Sequence, residues 1–376
     1  MSHRPVWAEV DLAAVRHNVG VLVGLAAPAR VGAVVKASAY GHGPVDVARA
    51  ALEGGASWLA VALVEEGIQL RDAGIDAPVL VLSEPPPDAM ADVVGRGLTP
   101  TVYTAEGVAW AAKAAAEVEG GLPLAVHVKV DTGMHRVGAP AGEAVKLALT
   151  VEERPELALG GVWTHLAVAD DPDNPFTGLQ IERFDAVLGE LAVRGVRPPL
   201  VHACNSAGVL THPEAHHDLV RCGLTVYGVA PSPALADRCA DAGLRPALSL
   251  KAHVSLVKEV AAGEGVSYGL RFRAERPTVI ATVPIGYADG VPWRLGVVGG
   301  EVLVGGRRRP IAGSVTMDQL MVDCGDDRSV AVGDEVVLLG VQGDETIGAW
   351  EWASRLGTIA YEVLSGIGAR VPRVFR

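Results

Sequence analysis

The stretch VGAVVKASAYGHGPVDVARAALEGG, residues 31–55, predicts one buried β-strand followed by one helix. Its first residues are small or β-branched up to Lys36, as in a strand that is covered on both faces. Pro44 suits the first turn of a helix, and the closing glycines suit its end. A lysine that is buried at a strand end should have a lowered pKa and a nucleophilic amine. The alternative is a lysine whose stem covers the strand end while its amine stays in water.

The same strand-and-helix unit recurs along the first part of the chain. Further apolar runs predict strands at residues 58–63, 78–83, 99–103, 124–130, 157–165, 199–205 and 219–223. About eight such units within roughly 220 residues predict an α/β protein with a (β/α)8 barrel of the TIM type. A doubly wound open sheet is the alternative, but no GxGxxG motif follows the first strand.

Near residue 235 the alternation of predicted strands and helices gives way to a series of predicted strands. Strands that are separated by Gly, Pro and Asp turns predict a mainly β C-terminal domain over residues 236–376, which follows a barrel domain over residues 1–235. The alternating segment VWAEVDL, residues 6–12, can join the sheet of that β domain.

Composition narrows the range of partners. The formal net charge of −12 and the pI near 5.4 argue against a nucleic-acid partner. No uninterrupted apolar run is long enough to span a bilayer, and residues 19–30 follow acidic rather than basic residues, unlike a signal peptide. The four cysteines are scattered without metal-ligand spacing, which predicts reduced thiols in the cytoplasm and no metal site.

Most of the polar residues that could take part in catalysis or binding lie at or just after the end of a predicted barrel strand. They are Lys36, Tyr40, Lys129, Asp131, Arg136, His165, Asn205, Ser206, Arg221 and Gly223. Active sites of (β/α)8 barrels lie at the carboxyl ends of the strands, and the last two strand ends commonly bind phosphate. A phosphate site combined with a nucleophilic lysine predicts pyridoxal phosphate held as a Schiff base. A sugar-phosphate enzyme is the alternative, with Asp131 as its candidate carboxylate base.

The ordered motifs resemble those of bacterial alanine racemases over nearly the whole chain. The matching segments are VVKASAYGHG (34–43), WAEVDLAAVRHN (7–18), VKVDTGMHRVG (128–138), HACNSAG (202–208), RCGLTVYG (221–228), GVSYG (265–269), IGYADG (285–290), GSVTMDQ (313–319) and AYEVLSGIGARVPRVF (360–375). The resemblance implies a pyridoxal 5'-phosphate enzyme that interconverts L- and D-alanine by a two-base mechanism on an aldimine, supplying D-alanine for peptidoglycan. It also implies a homodimer in which the partner's β domain completes each active site.

The resemblance implies a role for each matching residue. It assigns the Schiff base to Lys36 and the second catalytic base to Tyr268. The implied cofactor-binding residues are Lys36, Tyr40, His165, Asn205, Ser206, Arg221, Gly223, Leu224 and Tyr361. Arg136 and the Met317 amide would receive the substrate carboxylate. Lys129 matches a position that is carbamylated in some members of the family.

Several of these residues also have ordinary structural interpretations. Lys129 can pair with Asp131, and Arg221 can pair with Asp218 or Glu214 at the edge of the core. His165 can be a hydrogen-bonded structural histidine under the barrel mouth, and Tyr40 and Tyr361 can be ordinary aromatic residues that line it. His127 and His202 are interpreted as surface or structural histidines. Ser38 and Thr316 depart from the commonest pattern of the family, which has asparagine at the first position and often cysteine at the second.

Three other functions compete with alanine racemisation. The first is a broad-specificity amino-acid racemase, and the departure at Thr316, at the mouth of the substrate site, leaves this alternative open. A fold-related decarboxylase would need a glycine-triplet phosphate loop, which the chain lacks. A non-catalytic pyridoxal phosphate carrier would need neither the β domain nor Tyr268.

Overall fold

The computed structural model describes residues 4–118 and 121–376. The chain divides into two units. The barrel unit comprises residues 13–39 and 44–245, and the β unit comprises residues 4–12, 40–43 and 246–376.

Eight parallel strands form the sheet of the barrel unit. In order from first to eighth they are Arg30–Val34, Trp58–Val61, Val79–Val81, Thr99–Val102, Leu124–Lys129, Leu157–Trp163, Val201–His202 and Leu219–Cys222. Each strand pairs with the next up to the seventh, and the eighth pairs with the first. Backbone hydrogen bonds from Asp218 N to Val201 O (3.0 Å) and from Arg221 N to Cys204 O (2.9 Å) join the seventh strand to the eighth. The barrel is therefore nearly closed, and the predicted (β/α)8 fold is confirmed.

Helices alternate with these strands. The α-helices are Leu12–Ala26, Pro44–Glu53, Val64–Asp72, Met90–Gly95, Ala105–Ala116, Ala141–Glu152, Phe176–Val193, Ser206–Thr211 and Ala236–Asp241. Short 3-10 turns lie at Pro87–Ala89, Pro213–Ala215, Leu224–Tyr227 and Pro233–Leu235. Apolar strand residues such as Val126, Val128 and Val162 share a buried cluster with Phe184 of the longest helix. Burying each such side chain stabilises the fold by about 1.5–3 kcal/mol.

The barrel unit ends at Arg245 rather than at residue 235, where the change in sequence pattern predicted the boundary. The reason is the short helix Ala236–Asp241, whose Cys239 packs in an apolar cluster with Leu244 and Ala230. That cluster attaches the helix to the barrel unit. Its few apolar residues are too weak a sequence pattern to indicate that the barrel unit continues to Arg245.

The β unit contains three sheets, so the prediction of a mainly β C-terminal part is confirmed. Its strands are Val6–Val10, Leu248–His253, Leu256–Val260, Gly265–Val266, Phe272–Arg273, Thr278–Val283, Glu301–Val304, Arg307–Pro310, Leu320–Asp323, Glu335–Gln342, Glu345–Ile347 and Arg373–Phe375. Its α-helices are Ala349–Leu356 and Ala360–Ser365, and its 3-10 turns are Tyr268–Leu270, Tyr287–Asp289 and Trp293–Gly296. The opening strand Val6–Val10 runs antiparallel to Leu248–His253 and parallel to Arg373–Phe375, as its alternating sequence allowed.

The described residues also bear on membranes, metals and thiols. Across residues 4–118 and 121–376, each helix is too short or too polar to cross a bilayer. The same residues hold no group of three or more side chains placed to bind a metal ion. Cys204, Cys222, Cys239 and Cys324 are free and buried, and burial raises the pKa of Cys204 and Cys222 to about 12. These two thiols therefore stay protonated at neutral pH.

Candidate active site

Lys36 follows the first barrel strand and is half-buried. Burial lowers the pKa of its amine, and the positive charge of Arg136 lowers it further. The carboxylate of Glu66 acts in the opposite direction. A larger neutral fraction makes the amine a better nucleophile, so this environment favours covalent chemistry at Lys36.

The residues directly after Lys36 form a left-handed turn. Ala37, Ser38 and Ala39 have φ values of 51°, 54° and 52°, and Tyr40 continues with a φ of 51°. Each non-glycine residue in this conformation costs roughly 1–2 kcal/mol, because its Cβ crowds the backbone. Strain of this kind persists only where the surroundings hold it, and it concentrates at functional sites.

The end of this turn, from Tyr40 onward, belongs to the β unit. Arg373 Nε donates to the Gly41 carbonyl at 2.8 Å, and a Cβ on Gly41 would lie only 2.3 Å from the Leu364 carbonyl oxygen. The Tyr40 ring lies 6.1 Å from that of Tyr361, between ring centres, at a tilt of 50°. Close approach of the backbone therefore requires glycine at position 41 and brings two tyrosines together.

Because Ser38 lies in this left-handed turn, the presence of serine where the family commonly has asparagine should affect stability. Asparagine tolerates the left-handed region better than serine does, and the Ser38 side chain is exposed. We expect Ser38→Asn to raise the free energy of unfolding by about 0.5 kcal/mol. Thermal unfolding of the purified variant measures this. Ser57→Asn is the matched control, since Ser57 is exposed but lies outside the left-handed region. An equal shift in both variants would contradict the explanation.

Arg221 lies at the centre of the barrel end and is 3% exposed. Its Nη2 donates to the carbonyls of Thr164 (2.7 Å) and Ala203 (2.9 Å), and its guanidinium carbon lies 4.5 Å from the centre of the Trp163 ring. Burial lowers the pKa of Arg221 to about 10, so the group remains charged at neutral pH.

The suggested pairing of Arg221 with Asp218 or Glu214 is wrong. Asp218 Oδ2 accepts from the Val201 amide at 2.8 Å, and Glu214 is bonded to His212 at 2.9 Å. Both carboxylates are therefore engaged locally, and the guanidinium is held by carbonyls and by histidines.

A chain of histidines leads away from Arg221 into the barrel. Arg221 Nη1 donates to His202 Nδ1 at 2.8 Å, because a guanidinium can only donate. His202 Nε2 must then carry a proton, which it donates to His127 Nδ1 at 2.9 Å. Burial lowers the pKa of His127 to about 3 and that of His202 well below its usual value, so both rings are neutral. The pair was interpreted from sequence only as surface or structural; its members are buried, and His202 directly orients Arg221.

His165 lies two residues after the sixth strand and also contacts Arg221. Its Nδ1 accepts from Arg221 Nη2 at 3.3 Å, which leaves the proton of the neutral ring on Nε2. Burial, followed by the charge of Arg221, lowers the pKa of His165 well below its usual value. Gln180 holds the same residue by donating to its carbonyl at 3.1 Å.

Lys129 is buried beside Trp163, with Nζ 4.3 Å from the ring centre. Burial and the charges of Arg221 and Arg136 lower the pKa of Lys129 to about 7. Asp131, the suggested ion-pair partner, instead accepts from the amides of Gly133 (2.9 Å) and His135 (3.1 Å). This commitment to the loop also weakens the alternative in which Asp131 is a catalytic base.

Ser206 and Gly223 are brought together after the seventh and eighth strands. Ser206 Oγ accepts from the Gly223 amide at 2.8 Å and lies 3.0 Å from Thr225 Oγ1, in a buried cluster. Leu224 follows at the start of a 3-10 turn. Asn205 caps the helix Ser206–Thr211, with its oxygen accepting from the amides of Ala207 and Gly208.

Tyr268 and Met317 lie on neighbouring loops of the β unit. Ser314 Oγ donates to the Tyr268 carbonyl at 3.3 Å, and Ser267 Oγ donates to the Ser314 carbonyl at 2.7 Å. Thr316 Oγ1 donates to the Gln319 carbonyl at 2.8 Å, which closes the turn that carries Met317. Tyr268 is 77% exposed and Met317 is 52% exposed, so both side chains project from this unit.

Sequence reasoning missed three contributors to the site. Glu66 is hydrogen-bonded to the residue after Lys36, Thr225 joins the Ser206 cluster, and Gln180 holds His165. A glutamate in a first helical turn looks ordinary, because acidic residues are common there. Only the positions of Thr225 in RCGLTVYG and of Glu66 just after a strand end offered any signal.

Comparisons with known proteins agree along the whole chain. Residues 10–231 match the model of the alanine racemase N-terminal domain, and residues 247–375 match that of its C-terminal domain. An alanine racemase from Symbiobacterium thermophilum is 49% identical over 99% of this chain and 97% of its own length. One from Carboxydothermus hydrogenoformans is 47% identical over 99% of this chain and its full length. The crystal structure of alanine racemase from D-cycloserine-producing Streptomyces lavendulae superimposes with a TM-score of 0.93 at 41% identity, covering 100% of this chain and 98% of that one.

Proposed function

Because the chain belongs to the alanine racemase family, we propose that it is an isomerase that interconverts L-alanine and D-alanine with pyridoxal 5'-phosphate as cofactor. The observation that carries the proposal is Lys36, a half-buried amine with a lowered pKa at the carboxyl end of a barrel strand. The D-alanine would serve peptidoglycan synthesis. The free, buried cysteines support a reducing compartment, and we place the enzyme in the cytoplasm.

The residues of the barrel end fit an anionic cofactor. Lys36, Lys129, Arg136 and Arg221 act on one another electrostatically, and such a group of cations favours a phosphate or carboxylate among them. Ser206, the amides of Gly223 and Leu224, Tyr40 and Tyr361 would hold the phosphate, with Asn205 fixing the helix start beside it. When bound, the cofactor withdraws electrons from the substrate and stabilises negative charge at its α-carbon.

Arg221 would face the pyridine nitrogen of the cofactor. A guanidinium has no acceptor and stays protonated at neutral pH, so it keeps the nitrogen before it unprotonated. A weaker electron sink limits side reactions. His165 and His202 would fix the plane of that guanidinium from two sides.

Lys36 and Tyr268 would be the two bases. Racemisation removes the α-proton from one face of the substrate and returns a proton to the other. A single fixed base would mostly return the proton to the face from which it came. Lys36 serves one face, and the phenol of Tyr268 would serve the other.

The exposure of Tyr268 supports a homodimer with shared active sites. A catalytic base must lie within hydrogen-bond reach of the proton that it transfers, and Tyr268 of a single chain projects into solvent. Tyr268, Leu270 and Met317 are 77%, 52% and 52% exposed on one chain, and exposed apolar groups of this size mark contact surfaces. We infer that a second copy covers this surface, so that the partner supplies Tyr268 and the Met317 amide while Arg136 binds the substrate carboxylate from the barrel side.

Optical activity tests the function directly. Starting from pure L-alanine or pure D-alanine, the purified protein with pyridoxal phosphate should bring the circular dichroism of either solution to zero, since the enantiomers are equal in free energy. A non-catalytic carrier would bind the cofactor and leave both signals unchanged. A panel of other L-amino acids separates an alanine racemase from a broad-specificity one, because only the latter would racemise several at comparable rates.

Lys129 makes the site sensitive to pH in a defined direction. Carbon dioxide adds to a neutral amine to give a carbamate and a proton, and the pKa of Lys129 is about 7. The carbamate would place a negative charge beside Arg136 and Arg221. With carbon-13-labelled bicarbonate, we expect a carbamate signal at about pH 9 that fades below about pH 6, as the amine becomes protonated. Lys129→Arg is the control. A signal that persists in it would assign the carbamate elsewhere.

A further inference from the structure

Glu66 connects the left-handed turn after Lys36 to the neighbouring strand of the barrel. One carboxylate oxygen, Oε1, accepts from the Ala37 amide at 2.6 Å. The other, Oε2, accepts from the amides of Ala62 (2.8 Å) and Leu63 (3.1 Å), directly after the second barrel strand. Three main-chain donors from two adjacent strand ends therefore converge on one side chain.

The Ala37 amide belongs to the peptide that joins it to Lys36. The peptide is planar, so holding its N–H also fixes the direction of the Lys36 carbonyl. The backbone changes from strand to left-handed turn at this peptide, since Ala37 is the first residue with positive φ. The Glu66 bond therefore acts where the direction of the chain, and with it that of the lysine side chain, is decided.

The same carboxylate contributes charge to the lysine. The groups that act on the Lys36 amine are Arg136, which lowers its pKa, and Glu66, which raises it. Lys129 and His165 lie close enough for Lys36 to lower their pKa values in turn. Glu66 is thus a negative group that acts on Lys36, as Asp131 acts on Lys129.

We propose that Glu66 is a positioning residue for Lys36: its carboxylate fixes the Lys36–Ala37 peptide against the second strand end and so aims the lysine amine into the site. The consequence for cofactor binding rests on the proposed function, in which Lys36 bonds pyridoxal phosphate. The effect on the lysine itself does not.

Three variants separate hydrogen bonding from charge. Glu66→Ala removes both, Glu66→Gln keeps one acceptor oxygen without the charge, and Glu65→Gln is the matched control because Glu65 is exposed in the same helical turn. In the cofactor-free full chain, limited acetylation followed by mass spectrometry reports the reactivity of Lys36 against exposed Lys113 as internal standard. In the presence of pyridoxal phosphate, titration gives the cofactor affinity.

We expect Glu66→Ala to weaken cofactor binding about tenfold or more, because the Lys36 side chain is no longer preorganised to meet the cofactor. Glu66→Gln should lose less affinity than Glu66→Ala, because its one oxygen still accepts at one strand end while its NH2 group cannot accept at the other. Its Lys36 should also become reactive at lower pH, since the charge that raised its pKa is gone. The role is overturned if Glu66→Ala matches Glu65→Gln in affinity, or if Glu66→Gln loses as much affinity as Glu66→Ala.

Two further observations keep the test decisive. If Glu66→Ala does not fold, Glu66→Gln decides, and a cofactor affinity equal to that of Glu65→Gln overturns the role. If the cofactor fails to protect Lys36 from acetylation in the parent protein, the proposed function fails at Lys36. The acetylation profiles of the cofactor-free variants still measure the influence of Glu66.

Discussion

Replacing Lys36 with alanine is expected to abolish racemisation, with a loss on the order of 10⁴-fold or more. The amine is both the attachment point of the cofactor and one of the two bases in the proposed function, so one substitution removes two roles. The chiral assay with L-alanine measures the rate, and borohydride reduction followed by mass spectrometry measures the lysine–cofactor link. Both signals should vanish while the circular dichroism of the fold is retained.

Lys113→Ala is the matched control for that result, because Lys113 is an exposed lysine on the outer helix Ala105–Ala116. It should keep full activity and a reducible link. Lys129 is the residue that can contradict the assignment, since its amine is buried in the same group of cations and its pKa is about 7. A reducible cofactor link that survives in Lys36→Ala and maps to Lys129 would move the attachment point there.

Replacing Tyr268 with phenylalanine is expected to lower racemisation by roughly 10²–10⁴-fold, the usual contribution of a positioned proton donor or acceptor. Only the hydroxyl is lost, so the cofactor link to Lys36 and the fold should remain. Exchange of the α-proton of one enantiomer with deuterated solvent should persist better than inversion, because one face keeps its base. Equal loss of exchange and inversion for both enantiomers would contradict the two-face assignment.

Mixed dimers test which chain supplies the phenol. A dimer of one Lys36→Ala chain and one Tyr268→Phe chain has one intact site if the β unit of each chain serves its partner's barrel. Random mixing of two nearly inactive proteins should then recover about a quarter of the parental activity. Without recovery in verified mixed dimers, each chain must use its own Tyr268, and the shared-site proposal fails. Tyr103→Phe removes a phenol from the barrel unit and serves as the control. Mixed with the parent protein, it should leave the activity unchanged.

The parts of the fold that follow from local pattern could be predicted. Short strands such as Val79–Val81 and Trp58–Val61 are largely buried, and this burial appears directly as uninterrupted apolar sequence. Lys36, His165 and Arg221 could be expected near one another because parallel strands of a barrel end at the same face.

The remaining features depend on contacts between distant residues. Nothing in KASAY indicates a left-handed turn, since four consecutive non-glycine residues avoid that region when unconstrained. The bond between His127 and His202 depends on two strands that are not adjacent in sequence. Gly161 makes room for it, because a Cβ there would lie 2.9 Å from the His127 ring. The end of the barrel unit at Arg245 depends on where one short helix packs.

The cluster of Lys36, Lys129, Arg136 and Arg221 has a consequence for the way anions reach the site. The chain as a whole carries a formal charge of −12, so a phosphate or carboxylate is repelled at long range and attracted only near the barrel end. At physiological ionic strength the field of exposed charges fades within about 8 Å, and more slowly inside a shielded cleft. Dissolved salt should therefore weaken the repulsion by the outer surface more than the local attraction. Moderate ionic strength then favours capture of anionic ligands, whereas very dilute buffer hinders it.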